Sequence, residues 1–181
     1  QGKLTGELAA AIDAASTLAE VEDLYRPYKQ KRRTRATVAR EKGLAPLAER
    51  LFAQGPDCPE PLEEAAKYVD PEKGVETAED ALAGAGDIVA ELLSDDAELR
   101  KVLRGLLAKN GTLRSAAASE EDSVYRLYYE FAQPLARMQG YQVLAINRGE
   151  KEEKLKVSVE LDRELALRTL RRRVVVPGTP A

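Results

Sequence analysis

The stretch TAEDALAGAGDIVAELL, residues 77–93, predicts a helix and points to a mainly helical fold. Thr77 is followed three residues later by Asp80, a spacing typical of a capping box at a helix start. Apolar residues then recur at three- and four-residue intervals, at positions 81, 85, 88, 89 and 92. This period places them on one face of a helix, and that face needs neighbouring helices to bury it.

The middle of this helix is rich in small residues, among them Gly84 and Gly86. Glycine inside a helix costs about 1 kcal/mol relative to alanine, so its presence indicates a place where another helix packs closely. A nucleotide-binding loop is excluded, because no strand precedes Gly84 and no GK[ST] sequence follows Gly86.

Start and stop signals predict further short helices on both sides of this one. Thr17 and Glu20 form a second capping-box pattern, and either Thr34 or Thr37 can start a helix that Gly43 ends. Apolar spacing predicts other helices near residues 44–54, 62–69, 95–110, 119–135 and 162–173. The tyrosines of 119–135 are expected in the core, because they recur at helical spacing.

The apolar period changes to two beyond Tyr141. Val143, Leu144 and Ile146, followed by residues 155, 157, 159 and 161, alternate around a charged turn at Gly149. This pattern predicts a β-hairpin. The expected fold class is therefore mainly all-α, a bundle of short helices with one β-hairpin near the C-terminus.

Length and composition indicate a globular chain that can bury a core. The chain has 181 residues, of which 44% are hydrophobic and 33% are charged, and no apolar run is long enough to span a membrane. We divide it into N-terminal helices with a basic linker (1–54), a central helical bundle (55–140), and a hairpin with a C-terminal helix (141–181).

Residues 26–35, which we name the basic segment, carry six basic residues and no acidic one. Guanidinium groups suit phosphate contact and exposed aromatic rings suit base stacking, so this composition favours nucleic-acid binding. The candidate binding residues are Tyr25, Arg26, Tyr28, Lys29, Lys31, Arg32, Arg33 and Arg35. The alternative is a solvated loop whose arginines pair with acidic residues of the same protein.

Charge is strongly segregated along the chain, although its net charge is only −3. Residues 26–50 contain nine basic and two acidic residues, whereas residues 51–99 contain two basic and fourteen acidic ones. Nucleic-acid binding depends on the local field and not on the total charge. The acidic stretch could equally fold against the basic one and neutralise it.

No catalytic or metal site is predicted from this sequence. The chain has no histidine, which removes the commonest general base and metal ligand. Its one cysteine, Cys58, lies in a turn-like GPDCPEP sequence, so no disulfide or zinc site is expected and a reducing cytoplasm is the natural setting. Residues 4–15 are too interrupted by Glu7 and Asp13 to be a signal peptide. No catalytic residue, metal or cofactor is therefore expected.

Two sequences resemble those of the Tex family of bacterial transcription accessory proteins: LYRPYKQKRRTRATVAREKGL (24–44) and VLAINRGEKEEKLKVSVELD (143–162). Between them, AEDALAGAGDIVAELLSDDAELRKVLRGLL (78–107), GTLRS (111–115) and PLARM (134–138) are also similar to that family. Tex proteins are much longer and add an RNase H-like module of the YqgF type, helix-hairpin-helix elements and a C-terminal S1 RNA-binding domain. The resemblance implies that this chain is the helical region upstream of the nuclease-like module.

The sequence is compatible with two functions. In the first, the basic segment of a non-catalytic scaffold binds nucleic acid by phosphate contact without base specificity. In the second, the chain is a structural and protein-interaction module, and the basic segment contacts RNA polymerase or another domain of the same protein. A helix-turn-helix is possible around residues 36–52, although a recognition helix there would carry Glu41 and Glu49, which fits a major groove poorly.

Overall fold

The structure, a computed structural model, describes residues 4–29, 32–55, 60–119 and 122–180. It divides into two compact units: unit 1 is Gln1–Lys101 with Val174–Ala181, and unit 2 is Val102–Arg173. The helices of unit 1 are α1 Gly6–Ala14, α2 Leu18–Tyr25, α3 Arg35–Glu41, α4 Ala45–Ala53, α5 Pro61–Ala65 and α6 Ala78–Asp95, and α7 Ala97–Asn110 continues into unit 2. The segment boundaries at 54 and 140 stay a prediction.

The helix starts agree with the predicted capping signals. The Thr17 hydroxyl accepts a hydrogen bond from the Glu20 backbone N–H at 3.3 Å, and the Thr34 hydroxyl accepts one from the Thr37 N–H at 3.1 Å. At α6 the two partners of the capping box are Thr77 and Asp80, as predicted. These side chains satisfy backbone donors that a helix leaves without internal partners, which fixes where each helix begins.

The core of unit 1 forms where α3 and α4 pack against α6. Ala81, Ala85 and Ile88 of α6 are buried together with residues 36, 39, 44, 47, 48, 65 and 75. Leu44 precedes α4 and is 1% exposed. A Cβ placed on Gly84 would come within 2.4 Å of the Leu44 Cδ1 atom, so the predicted close approach at this glycine is confirmed.

Unit 2 is built on a three-stranded antiparallel sheet in the order β2-β1-β3. Its strands are β1 Thr112–Ala117, β2 Glu130–Pro134 and β3 Leu155–Glu160, and its helices are α8 Gly140–Lys151 and α9 Arg163–Val174. In the central strand, Ser115 lies opposite Phe131 of β2 and Val157 of β3.

The predicted position of the hairpin is wrong. Residues 140–151 form α8, in which Ile146 and Gly149 are buried three residues apart, as neighbours on one helical face are. Gly149 gives Leu155 room, because a Cβ there would lie 2.6 Å from the Leu155 Cδ1 atom. Only the second half of the pattern, β3, is a strand, and it pairs with the distant β1.

The predicted helix over residues 119–135 is also wrong. Its described part contains the 3-10 turn Arg126–Tyr128 and then β2, and Leu135 begins a second 3-10 turn. Tyr125 is nonetheless buried, as expected for a core aromatic, and burial raises the pKa of its hydroxyl. The Tyr128 and Phe131 rings meet edge to face with centroids 5.3 Å apart.

The mainly α-helical fold class is confirmed, with a small antiparallel sheet in place of an isolated hairpin. Among the described residues, none of the helices combines the length and the apolar content that crossing a bilayer requires.

Candidate nucleic-acid interface

The basic segment connects α2 to α3. The α-helix stops at Tyr25, and Pro27 lies in the short 3-10 helix Arg26–Tyr28, because proline cannot continue the hydrogen-bond ladder of α2. The chain then reaches Thr34, which caps α3. Lys31, one of the candidate binding residues, lies outside the residues that the structure describes.

The helix that precedes the basic segment is fixed at its start by Glu20. Its carboxylate accepts hydrogen bonds from the Ser16 backbone N–H at 2.8 Å, the Ser16 hydroxyl at 3.0 Å and the Thr17 N–H at 3.3 Å. The pKa of Glu20 is lowered, chiefly by the backbone hydrogen bond from Ser16, because these donors favour the charged form.

Three carboxylates of α6 face the basic segment. Asp87, Glu91 and Asp95 are four residues apart, so they lie on one side of the helix, and we name them the acidic face. They belong to the acid-rich stretch 51–99, and their contacts with the basic segment match the alternative in which the acidic stretch folds against the basic one. The sequence shows that this stretch is acidic, but it does not show that these three residues are the ones that face the basic segment.

Two predicted binding residues form ion pairs with the acidic face. Arg26 Nε lies 3.1 Å from Asp95 Oδ1, and an Arg35 guanidinium nitrogen lies 3.3 Å from Asp87 Oδ1. The Arg35 side chain is nevertheless 87% exposed, so this pair is screened by solvent and contributes little to stability.

The middle carboxylate of the acidic face, Glu91, has partners that the sequence analysis did not select. Arg40 of α3 donates to Glu91 Oε2 at 2.6 Å, and the Thr34 hydroxyl donates to Glu91 Oε1 at 2.9 Å. Glu91 thus ties the start and the end of α3 to α6. This arrangement depends on tertiary packing, and the local sequence pattern could not indicate it.

Arg33 is held differently from the other arginines of the segment. Its guanidinium donates to Glu41 Oε2 at 2.7 Å, which links the segment to the last turn of α3. Both side chains are more than half exposed, so this contact also has little energetic weight.

Lys29 and Arg32 form no ion pair with any residue in the described part of the chain. Both are exposed, and Tyr25 and Tyr28 nearby are 57% and 39% exposed. A surface cleft of about 540 Å³ brings Lys29 and Arg32 together with Arg26 and other residues of α3 and α6. The structure therefore gathers several of the predicted binding residues around one cleft, whose opposite wall is acidic.

The predicted helix-turn-helix region contains two helices, α3 and α4, joined by residues 42–44. Their apolar residues Ala36, Ala39, Leu47 and Ala48 are buried in the core of unit 1. Binding of α4 in a DNA groove stays a prediction.

Within the described ranges, no group of three or more acidic or cysteine side chains is arranged to hold a metal ion. Cys58 lies outside those ranges. The chemistry that the cleft does offer is contact with anions, through the guanidinium and ammonium donors that line it.

Comparison with known proteins identifies relatives over almost the whole chain. Residues 57–175 match the family model described as Tex central region-like. Protein tex of Bordetella pertussis is 41% identical over 172 residues, which is 93% of this chain and 22% of that protein. The transcriptional accessory protein Tex of Neisseria gonorrhoeae is 36% identical over 88% of this chain and 21% of its own length. A human relative, S1 RNA-binding domain-containing protein 1, is 29% identical over 89% of this chain and 17% of that protein. The chain thus spans about a fifth of the length of these relatives.

Proposed function

This chain belongs to the Tex family of transcription accessory proteins, and on that premise we propose that it is a non-catalytic helical scaffold that contributes sequence-independent nucleic-acid binding. The observation that carries the proposal is the exposure of Lys29 and Arg32 at one cleft, with no internal ion partner for either base among the described residues. Tyr25 and Tyr28, close to Lys29 in the sequence, are also exposed. Uncompensated bases beside aromatic rings suit phosphate contact and stacking.

The acidic face limits how strongly this surface can bind. Asp87 and Asp95 already compensate Arg35 and Arg26, and phosphates must compete with those carboxylates for the two arginines. We therefore expect weak binding that depends mainly on the uncompensated bases. The human relative is named for an S1 RNA-binding domain. This name supports a nucleic-acid role for the longer proteins of the family.

The second candidate function is that of a structural module that docks on the transcription machinery or on other domains of the full-length protein. The observation that favours it is the contact of the basic segment with the acidic face, since a surface that binds carboxylates within the chain can also bind those of a partner. In this case nucleic acid would not bind at the cleft.

The decisive experiment measures binding of a mixed-sequence oligonucleotide as a function of salt, for the parent chain and for Lys29→Ala/Arg32→Ala. Each lost phosphate contact lowers the slope of log K against log salt by about 0.7 on single strands and about 0.9 on duplexes. We expect the double variant to lower the slope by about 1.4 to 1.8 units. An unchanged slope would favour the docking function.

The matched control is Lys67→Ala/Lys73→Ala, which removes two exposed bases that pair with acids elsewhere in unit 1. It makes the same change in net charge at a different place. Its slope should stay at the parent value, and an equal decrease in both variants would show that only net charge matters.

A further inference from the structure

The helix α9 carries a second concentration of positive charge, on unit 2. Within Arg163–Val174 it contains one acid, Glu164, and five arginines, at positions 163, 168, 171, 172 and 173. No ion pair joins any of these arginines to another residue in the described ranges, whereas the arginines of the basic segment at positions 26, 33 and 35 are paired. Within the part of the chain that the structure describes, the arginines of α9 are therefore uncompensated.

Three of these arginines share one side of the helix. At about 100° per residue, Arg168, Arg171 and Arg172 fall within an arc of about 100°, and all three are exposed. Leu167 and Leu170 are half-buried and lie outside that arc. We name the three arginines the arginine face of α9.

The usual structural role of such residues explains only part of this pattern. Basic side chains in the last turn of a helix interact favourably with its C-terminal carbonyl groups, which accounts for arginines at 171–173. Arg168 lies before that turn, and Arg171 and Arg172, three and four residues further on, repel it. Glu164, four residues earlier on the same side of the helix, is the one acid near this face and forms no ion pair with Arg168, so the face keeps an excess of positive charge. An anionic ligand would relieve that repulsion.

The composition of the face indicates the class of ligand. Protein interfaces usually centre on apolar or aromatic anchors, and no such side chain lies within this arc. The guanidinium group offers a planar pair of donors that matches phosphate oxygens. We propose that the arginine face of α9 binds the phosphate backbone of nucleic acid, at a site separate from the basic segment.

This inference does not depend on the proposed function of the basic segment. The two surfaces belong to different units, and different substitutions remove the charge of each. Both surfaces can therefore be tested on the same chain with the same oligonucleotides.

The test is the salt dependence of binding for the variant Arg168→Gln/Arg171→Gln/Arg172→Gln. Glutamine keeps an unbranched polar side chain and a similar helix propensity while removing the charge. We expect the slope of log K against log salt to fall by about 2.1 units on single strands and about 2.7 on duplexes. The corresponding triple lysine variant should keep the parent slope, because it keeps the charge.

The control is Lys109→Gln/Arg114→Gln/Arg126→Gln, which removes the same net charge from unit 2, with Arg114 and Arg126 taken from existing ion pairs. This control should keep the parent slope. Far-UV circular dichroism verifies that each variant folds.

Three outcomes would overturn the inference. The glutamine variant could bind with the parent slope, the control could reduce the slope equally, or polyglutamate could depend on the arginine face while nucleic acid does not. The last result would assign the face to an acidic protein segment. If the Lys29→Ala/Arg32→Ala variant alone lost binding, the proposed function would stand and this inference would fail.

Discussion

Replacing Gly84 by alanine should destabilise unit 1, although the same replacement at Gly86 should stabilise it. The added Cβ at position 84 would lie 2.4 Å from Leu44 Cδ1 and 3.4 Å from Ala39 Cβ, whereas nothing lies within 4 Å of a Cβ at position 86. Leu44 is almost completely buried, so it has little space into which to move.

The magnitude follows from two opposing effects. Alanine gains about 0.8–1.0 kcal/mol over glycine inside a helix, and overpacking a core costs about 1–3 kcal/mol. Both sites lie in α6, so the propensity gain is common to them and cancels when their free energies of unfolding are subtracted. The difference between the two variants should therefore equal the steric cost alone, about 1–3 kcal/mol.

Urea denaturation followed by far-UV circular dichroism measures this difference. With an m-value of about 2 kcal/mol/M, the two midpoints should be separated by about 0.5–1.5 M. Adding Leu44→Val to Gly84→Ala should recover part of the loss, because it shortens the side chain that clashes. Equal midpoints for the two alanine variants would refute the close approach of α6 and Leu44.

Three further predictions concern stability. Gly149→Ala should destabilise unit 2 by up to about 2 kcal/mol in the same urea assay, because a Cβ 2.6 Å from a buried leucine side chain costs about 1–3 kcal/mol and the helix propensity of alanine offsets about 1 kcal/mol of this; a stabilised variant would contradict the packing of α8 on β3. Glu64 is 3% exposed and pairs with Arg50 and Lys67, so Arg50→Ala/Lys67→Ala should cost about 3–5 kcal/mol by leaving a buried carboxylate without its ion partners. Glu64→Leu should lower the free energy of unfolding by less, because the two bases it leaves without a partner are exposed to water. The urea midpoint of Glu64→Leu should therefore be the higher of the two, and the opposite order would show that this reasoning is wrong. The pKa of Glu20 lies below its ordinary value of 4.5 in the folded chain, so the Glu20 carboxylate stabilises the fold at a pH above 4.5. The parent should therefore be more stable than Glu20→Gln above that pH, and this difference in the free energy of unfolding should shrink as the pH falls through the folded pKa. A difference that grows on acidification would contradict the lowered pKa.

Capping signals could be predicted from the sequence because they act within four residues. Thr17, Thr34 and Thr77 each bond a backbone N–H three positions on, and each begins a helix in the structure. The same local reasoning could not identify β1, whose sequence TLRSAA is poor in strand-forming residues. Its conformation depends on pairing with β2 on one side and with the more distant β3 on the other.

Local patterns also misassigned residues 140–151. Val143, Leu144 and Ile146 fit an alternating period as well as a helical one over so short a distance, and the buried pair Ile146 and Gly149 resolves the choice in favour of a helix.

The sequence predicts the composition of the candidate interface, but it does not show which of the basic side chains are neutralised by ion pairs. The charge of residues 26–35 is visible in the sequence, and the structure adds which arginines are already paired. Choosing Lys29 and Arg32 from that segment required knowing that Asp87 and Asp95 lie on the face of α6 that meets it.

The position of β1 between β2 and β3 has a consequence during synthesis of the protein. β2 follows β1 closely in the sequence, whereas β3 begins only at Leu155, after α8. Ribosomes add about 5–20 residues per second, and about 40 residues separate the end of β1 from the end of β3. One edge of β1 therefore lacks its partner for about 2–8 s during synthesis. An open strand edge is a template for pairing with other chains. A nascent chain that stalls inside α8, or a truncated product that ends there, should therefore aggregate more readily than one that extends past Glu160.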